Sequence, residues 1–128
     1  MATLIERTPW SSTAARALRV AFGGFDAEYR RQVDSGAAAL WCVDGGVAYF
    51  VTRIETAKGR APEMVVCAFA GRELHAIAPA IIHGARMLGC ATIRFHTARK
   101  GLDRMTRRYG FRRIESVYQL ELREVGHG

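Results

Sequence analysis

Eight bases crowd into residues 94–113: Arg94, Arg99, Lys100, Arg104, Arg107, Arg108, Arg112 and Arg113, against one acid, Asp103. The window's net charge equals that of the whole chain, +7, so the other residues sum to neutrality. Such a concentration of cations invites phosphate, from a nucleotide cofactor or from a nucleic-acid backbone, and it would serve equally as a solvated face or a surface for an acidic partner. Phe95, Tyr109 and Phe111 read as internal, which disfavours stacking of single-stranded bases within the window. Of the four histidines, His96 ends a strand at the edge where open α/β sheets bind ligands, and shares its face with Arg94, opposite Ile93 and Phe95. His75 is a first-turn helix residue that could face a cleft, His83 reads as structural and His127 belongs to the tail. Their spacing suits no metal. Cys67 has a nucleophile's chemistry but lies in the apolar run Val65-Val66-Cys67-Ala68-Phe69 with no base nearby, which predicts a buried, inert thiol.

The elements that position these residues follow from periodicity. Residues 1–8 predict a first strand. Ser11, Ser12 and Thr13 offer N-caps to a helix over 14–22, where Ala14, Leu18 and Ala21 share a face and Gly23-Gly24 ends the run. Asp26 is placed to cap a second helix closed by Gly36. Residues 37–43 are apolar on both faces, as in a central strand, and Asp44-Gly45-Gly46 reads as a hairpin turn into a strand over 47–56. A turn at 58–62 leads to a third strand over 63–70. From Arg72 the period becomes helical, with Leu74, Ile77, Ala78, Ile81, Ile82, Ala85 and Leu88 in one stripe. Pro79 belongs in a first turn, so the regular helix is predicted to start near it, with 71–78 partly loop. A strand over 91–96, a short helix with Arg104, Arg107 and Arg108 outward, and a last strand over 111–123 complete the order.

A chain of 128 residues that is 49% hydrophobic and 24% charged predicts a single soluble domain, 1–128, with a real core. It contains no apolar run long enough for a membrane span, and the first ten residues lack a signal peptide's apolar stretch. Cys42, Cys67 and Cys90 are odd in number and lie in apolar runs, which predicts reduced thiols in a cytoplasmic protein. The seventeen arginines against two lysines suit phosphate binding, and coding bias produces the same excess.

The element order, and above all the last seventy residues, resembles the GCN5-related N-acetyltransferase (GNAT) superfamily. The resemblance rests on the strand over 63–70, the long helix closing on Leu88-Gly89-Cys90, the strand over 91–96, and a helix closing on Tyr109-Gly110-Phe111 before an antiparallel final strand. The short length and the run from Arg99-Lys100-Gly101-Leu102 to Tyr109-Gly110-Phe111-Arg112 are also similar to the small GNAT-like proteins of tailed phages and prophages. The resemblance implies an α/β fold with a mixed, mostly antiparallel twisted sheet flanked by helices, acetyl-CoA as cofactor, no metal, and acyl transfer to an amine.

In that family a loop of pattern Arg/Gln-x-x-Gly-x-Gly/Ala opens the long helix and cradles the cofactor's diphosphate. It falls here on Phe69, Ala70, Gly71, Arg72, Glu73 and Leu74, so Phe69, Arg72 and Leu74 replace the usual Arg/Gln and both glycines. The resemblance assigns cofactor contacts to Phe69, Ala70, Gly71 and Arg72, with Arg99 and Lys100 meeting the ribose phosphate or pantetheine arm. The family's acid, a tyrosine four residues before Gly-Phe, is Thr106 here, whose hydroxyl is too weak an acid for the role. Candidate bases are Glu63, the only acid on its strand, and His96. The alternative is a GNAT-like protein without catalysis that contacts an acidic protein or a nucleic acid through Arg104, Arg107, Arg108, Arg112 and Arg113. The regular last strand offers an edge for homodimer formation.

Overall fold

The computed structural model describes residues 4–71, 74–96, 112–114 and 117–122; the side chains of Leu74, His75, His96 and of the last two strands lie outside the described set. The chain divides into two compact units, Met1–Arg53 with Val66–Leu74, and Ile54–Val65 with His75–Gly128. The elements are β1 (Ile5–Thr8), α1 (Ser12–Phe22), α2 (Asp26–Ser35), β2 (Ala39–Val43), β3 (Ala48–Glu55), β4 (Glu63–Gly71), α3 (Leu74–Met87), β5 (Thr92–His96), β6 (Arg112–Ile114) and β7 (Val117–Glu121). Seven strands form one mixed sheet in the order β1-β2-β3-β4-β5-β7-β6, and the fold is α/β.

In the first unit the local signals act as read. Ser11 is the N-cap of α1, its hydroxyl accepting from the Ala14 N–H at 3.1 Å, and Gly23 closes the helix in the left-handed region. Ala14, Leu18 and Phe22 recur at a four-residue spacing and are 0%, 0% and 2% exposed, so this stripe anchors α1; burying a side chain like Leu18 contributes about 2 kcal/mol. Asp26 begins α2 rather than capping it: the N-cap is Phe25, which makes no side-chain capping bond. The β2–β3 hairpin turns at Asp44, Gly45 and Gly46, all at positive φ, with the Val43 carbonyl accepting from both the Gly46 and Val47 N–H groups.

Two elements, α3 and the last strand, depart from expectation. Helix α3 begins at Leu74 and runs straight through Pro79. Ile77 and Ala78, before the proline, are already buried, as are Ile81 and Ala85, so packing carries the helix past a residue that cannot donate to the carbonyl of His75. Leu88, placed in the apolar stripe by its spacing, is 62% exposed, and His83 is an exposed surface residue rather than a structural one. The last strand is a hairpin, β6 and β7, paired antiparallel through Arg112↔Gln119, Arg113↔Tyr118 and Ile114↔Val117. Its second arm also pairs with β5, from Thr92↔Glu121 to His96↔Val117. Strand β7 therefore has a neighbour on each side and offers no edge to a second copy; β1 and β6 are the edge strands. The short basic helix expected near residues 102–109 lies outside the described residues.

Candidate functional site

Strand β4 is the middle strand of the seven and is buried from Met64 to Phe69, as a strand covered on both faces must be. It ends at Gly71, and α3 begins at Leu74, so only residues 72 and 73 join them. Phe69, where a polar residue was anticipated, is a packing group. It is 6% exposed, and its ring lies 6.2 Å from that of Phe50, which stacks in turn on Trp41 across the β2–β3 ladder. The Trp41 indole N–H donates to the Thr52 hydroxyl at 2.9 Å, fixing the end of this three-ring stack. Ala70 is half-buried.

Gly71 has two reasons to be glycine. Its φ is +123°, and a Cβ there would lie 2.6 Å from the Ala48 Cα, the Ala48 Cβ and the Val47 carbonyl oxygen. The backbone at the end of β4 thus presses directly onto the start of β3. The resemblance gives Gly71 a cofactor contact, although the family's own glycines fall on Arg72 and Leu74; the geometry shows that Gly71 makes room for the chain itself. Arg72, Arg99 and Lys100, also assigned to the cofactor, lie outside the described residues.

Glu63 opens β4, at the opposite end of that nine-residue strand from Gly71. Its Oε1 lies 2.9 Å from Arg94 Nη2, and its Oε2 accepts from the Thr92 hydroxyl at 2.7 Å. With a side chain 13% exposed, it is not a solvated edge residue: both oxygens are engaged. Thr92 and Arg94 are two apart on β5 and share a face, so one carboxylate ties two successive positions of the strand. Glu63 also acts on Cys90, whose thiol is pushed above its ordinary 9.0 first by burial and then by this negative charge. Arg94 is therefore committed to a carboxylate, and the basic window loses one of its eight cations to an internal pair. His96 holds the end of β5 opposite Val117. The backbones of Arg112 and Arg113 lie in β6, and Arg104, Arg107 and Arg108 fall outside the described residues.

Cys67 forms no disulfide and is 2% exposed, in the middle of β4. Tyr29 of α2 lies within electrostatic reach of it. Burial raises the phenol above its ordinary 10.0, the Cys67 charge adds to this, and Arg53 opposes it. Arg53 donates to Gln32 Oε1 at 3.2 Å, and Gln32 Nε2 donates to Glu28 Oε1 at 3.1 Å, so polar side chains of α2 reach the sheet next to this tyrosine. Sequence reasoning missed Tyr29, which stacks on Phe22 at 4.7 Å across the α1–α2 turn, a contact that no spacing within one helix signals. Among the described residues no group of three metal-ligating side chains occurs, and no helix is long and apolar enough to cross a membrane.

No protein-family model matches the chain, and no curated protein sequence matches it. Solved structures do. A protein of the GNAT acetyltransferase family from Desulfovibrio desulfuricans superposes with a TM-score of 0.61 at 16% identity, covering 94% of this chain and 99% of that one. AtaTR bound with acetyl-CoA gives 0.62 at 11% identity, covering 98% and 96%. The AtaT–AtaR complex bound to DNA gives 0.63 at 9% identity, covering 97% of both chains. At these identities the likeness is one of fold, and the fold is that of the GNAT acetyltransferases.

Proposed function

We propose that this chain is a GNAT-fold N-acyltransferase that binds acetyl-CoA at residues 69–74 and passes the acyl group to an amine. The observation that carries the reading is the β4–α3 junction. A buried central strand ends on positive-φ Gly71, and a helix starts three residues later, in a fold whose solved relatives include one bound with acetyl-CoA. In this reading the diphosphate takes backbone N–H groups ahead of the α3 N-terminus, and the sequence offers Arg72, Arg99 and Lys100 as cations for it.

When bound, acetyl-CoA would supply a thioester: the amine nitrogen bonds to the carbonyl carbon, the C–S bond breaks, and CoA leaves as its thiolate, which in the end takes the proton that the amine gives up. Backbone N–H groups near 69–72 hold the carbonyl and raise its electrophilicity. The chain brings no tyrosine acid, because Thr106 stands in its place. Glu63 has both oxygens occupied, which leaves His96, at the end of β5, to take the amine proton. Calorimetric titration with acetyl-CoA and with CoA lacking the 3′-phosphate tests the reading. Micromolar binding that weakens without the phosphate supports it, and silence at high micromolar acetyl-CoA rejects it.

A second reading is favoured by the junction itself, where Phe69 and Gly71 serve packing within the chain. In it the fold has left catalysis and acts as a binding protein, phage- or prophage-like, through Arg104, Arg107, Arg108, Arg112 and Arg113. Reversing Arg104, Arg107 and Arg108 to glutamate takes the net charge from +7 to +1, since three reversals remove six units. That variant should lose a DNA or acidic-protein partner and leave the acetyl-CoA response unchanged.

A further inference from the structure

A cleft of about 430 Å³ lies against the start of α1 and the α2 helix, within the first unit, lined among others by Trp10, Ser12, Arg16, Arg19, Asp26 and Arg30. Its volume is within the range of small-molecule sites. Arg16 and Arg19 are three apart on α1 and therefore neighbours on its surface, and Arg30 joins them from α2. Among the described residues neither Arg16 nor Arg19 has an acidic partner; Arg30 stands 3.6 Å from Asp34 in an exposed pair. Asp26 is the only carboxylate among the lining residues, so three guanidinium groups share one cleft with one negative charge. Like charges gathered in this way repel, and an anion relieves them.

The fourth feature is aromatic. Trp10 is half-exposed, and its ring stacks on Phe22 at 5.5 Å and 15°, with Phe22 stacked on Tyr29 at 4.7 Å. Phe22 is 2% exposed, so the indole is backed by core and its plane is fixed. A fixed indole bordering a cleft of guanidinium groups pairs a π-face with phosphate-binding forks. We propose that this cleft binds a nucleoside phosphate, the base on Trp10 and the phosphate on Arg16 and Arg19. The unit comes from a free nucleotide or from one residue of a single strand. This inference does not depend on the acyl-transfer reading.

The test follows Trp10 emission during titration with adenosine monophosphate, with a hexauridylate RNA and with inorganic phosphate. Each is repeated on the Arg16→Gln/Arg19→Gln and Trp10→Phe variants of the full chain. Saturable quenching by the nucleotide, weakened about ten-fold or more in the double variant, is expected, and calorimetry on Trp10→Phe, which lacks the reporter, should show a similar loss of nucleotide affinity. Both arginines are exposed, so the double variant should keep its melting temperature and its acetyl-CoA titration, which separates this site from the one at 69–74. RNA binding at least about ten-fold tighter than the mononucleotide, with a steep salt dependence, assigns the site to a strand; equal affinities assign it to free nucleotide. No saturation at low millimolar ligand overturns the proposal, as does an unchanged affinity in the double variant. Inorganic phosphate competing as well as the nucleotide also overturns it, because the indole would then contribute nothing.

Discussion

Gly71 and Glu63 show how a residue's position can suggest one role and its surroundings another. Replacing Gly71 by alanine puts a methyl group 2.6 Å from three atoms of Val47 and Ala48, two of them backbone, at a φ that L-residues rarely adopt. The start of β3 must shift, and we expect a loss of about 3 kcal/mol in urea unfolding, from overpacking and backbone strain together. Any loss of acetyl-CoA binding in that variant would follow the fold, so Gly71 is a poor probe of the proposed cofactor site. Glu63→Gln keeps an acceptor for Thr92 and removes the charge facing Arg94, which is 37% exposed and partly screened. The expected cost is about 1 kcal/mol, with turnover within about two-fold of the parent; a loss of about a hundred-fold at unchanged stability would instead make Glu63 the base. The sequence placed Glu63 on the correct strand and left Gly71 just past its end, in the loop. That Thr92 and Arg94 share a face was legible from their spacing, but that Glu63 lies beside them depends on how β4 and β5 are aligned, which no local pattern encodes. The press of Gly71 on Ala48 is likewise a contact between distant segments.

Elements set by local chemistry were legible, and those set by packing were not. The caps of α1 and the Asp44-Gly45-Gly46 turn follow from groups within a few positions of one another. Ser11→Ala removes the acceptor for the Ala14 N–H and should lower stability by about 1 kcal/mol, read as a shift in the urea midpoint at unchanged slope. The start of α3 was misplaced because Pro79 carries a local penalty that the burial of Ile77 and Ala78 outweighs. Pro79 itself is exposed, so Pro79→Ala gives up little packing and restores the donor for the His75 carbonyl. Part of that gain is offset because proline also restricts the unfolded chain, and a net stabilisation of about 1 to 2 kcal/mol is expected in thermal melts. The β6–β7 hairpin was hidden for a different reason. Its connection, Glu115-Ser116, contains none of the glycine or asparagine that marks a tight turn, and the only local mark is a break in the alternation at Ser116 and Val117.

Across the whole molecule, a net charge of +7 draws protons off acidic groups, yet Cys90, Tyr29 and Tyr49 are all raised. Burial is the largest cause in each case, so local desolvation overrides the mean field. For Tyr49 the Cys42 thiol adds to it; the two are cross-strand partners on β2 and β3. The consequence for stability has a definite sign. A group raised in the folded state keeps its proton there after the unfolded chain has released it, so the unfolded state binds fewer protons and stability falls as pH rises. The contribution of Cys90 is intact below 9.0 and is lost as pH climbs through its raised folded value; the tyrosines add theirs above 10.0. Each group contributes a slope of at most about 1.4 kcal/mol per pH unit. Urea midpoints measured from neutral pH upward should therefore hold level to 9.0 and then decline, more steeply once 10.0 is passed. In Cys90→Ala the curve starts lower, because a buried side chain is truncated, and the decline between 9.0 and 10.0 should be shallower than in the parent. Parallel curves for the two proteins across that interval would mean that the Cys90 thiol titrates alike folded and unfolded, and that the packing around it and Glu63 does not exclude water as the geometry indicates.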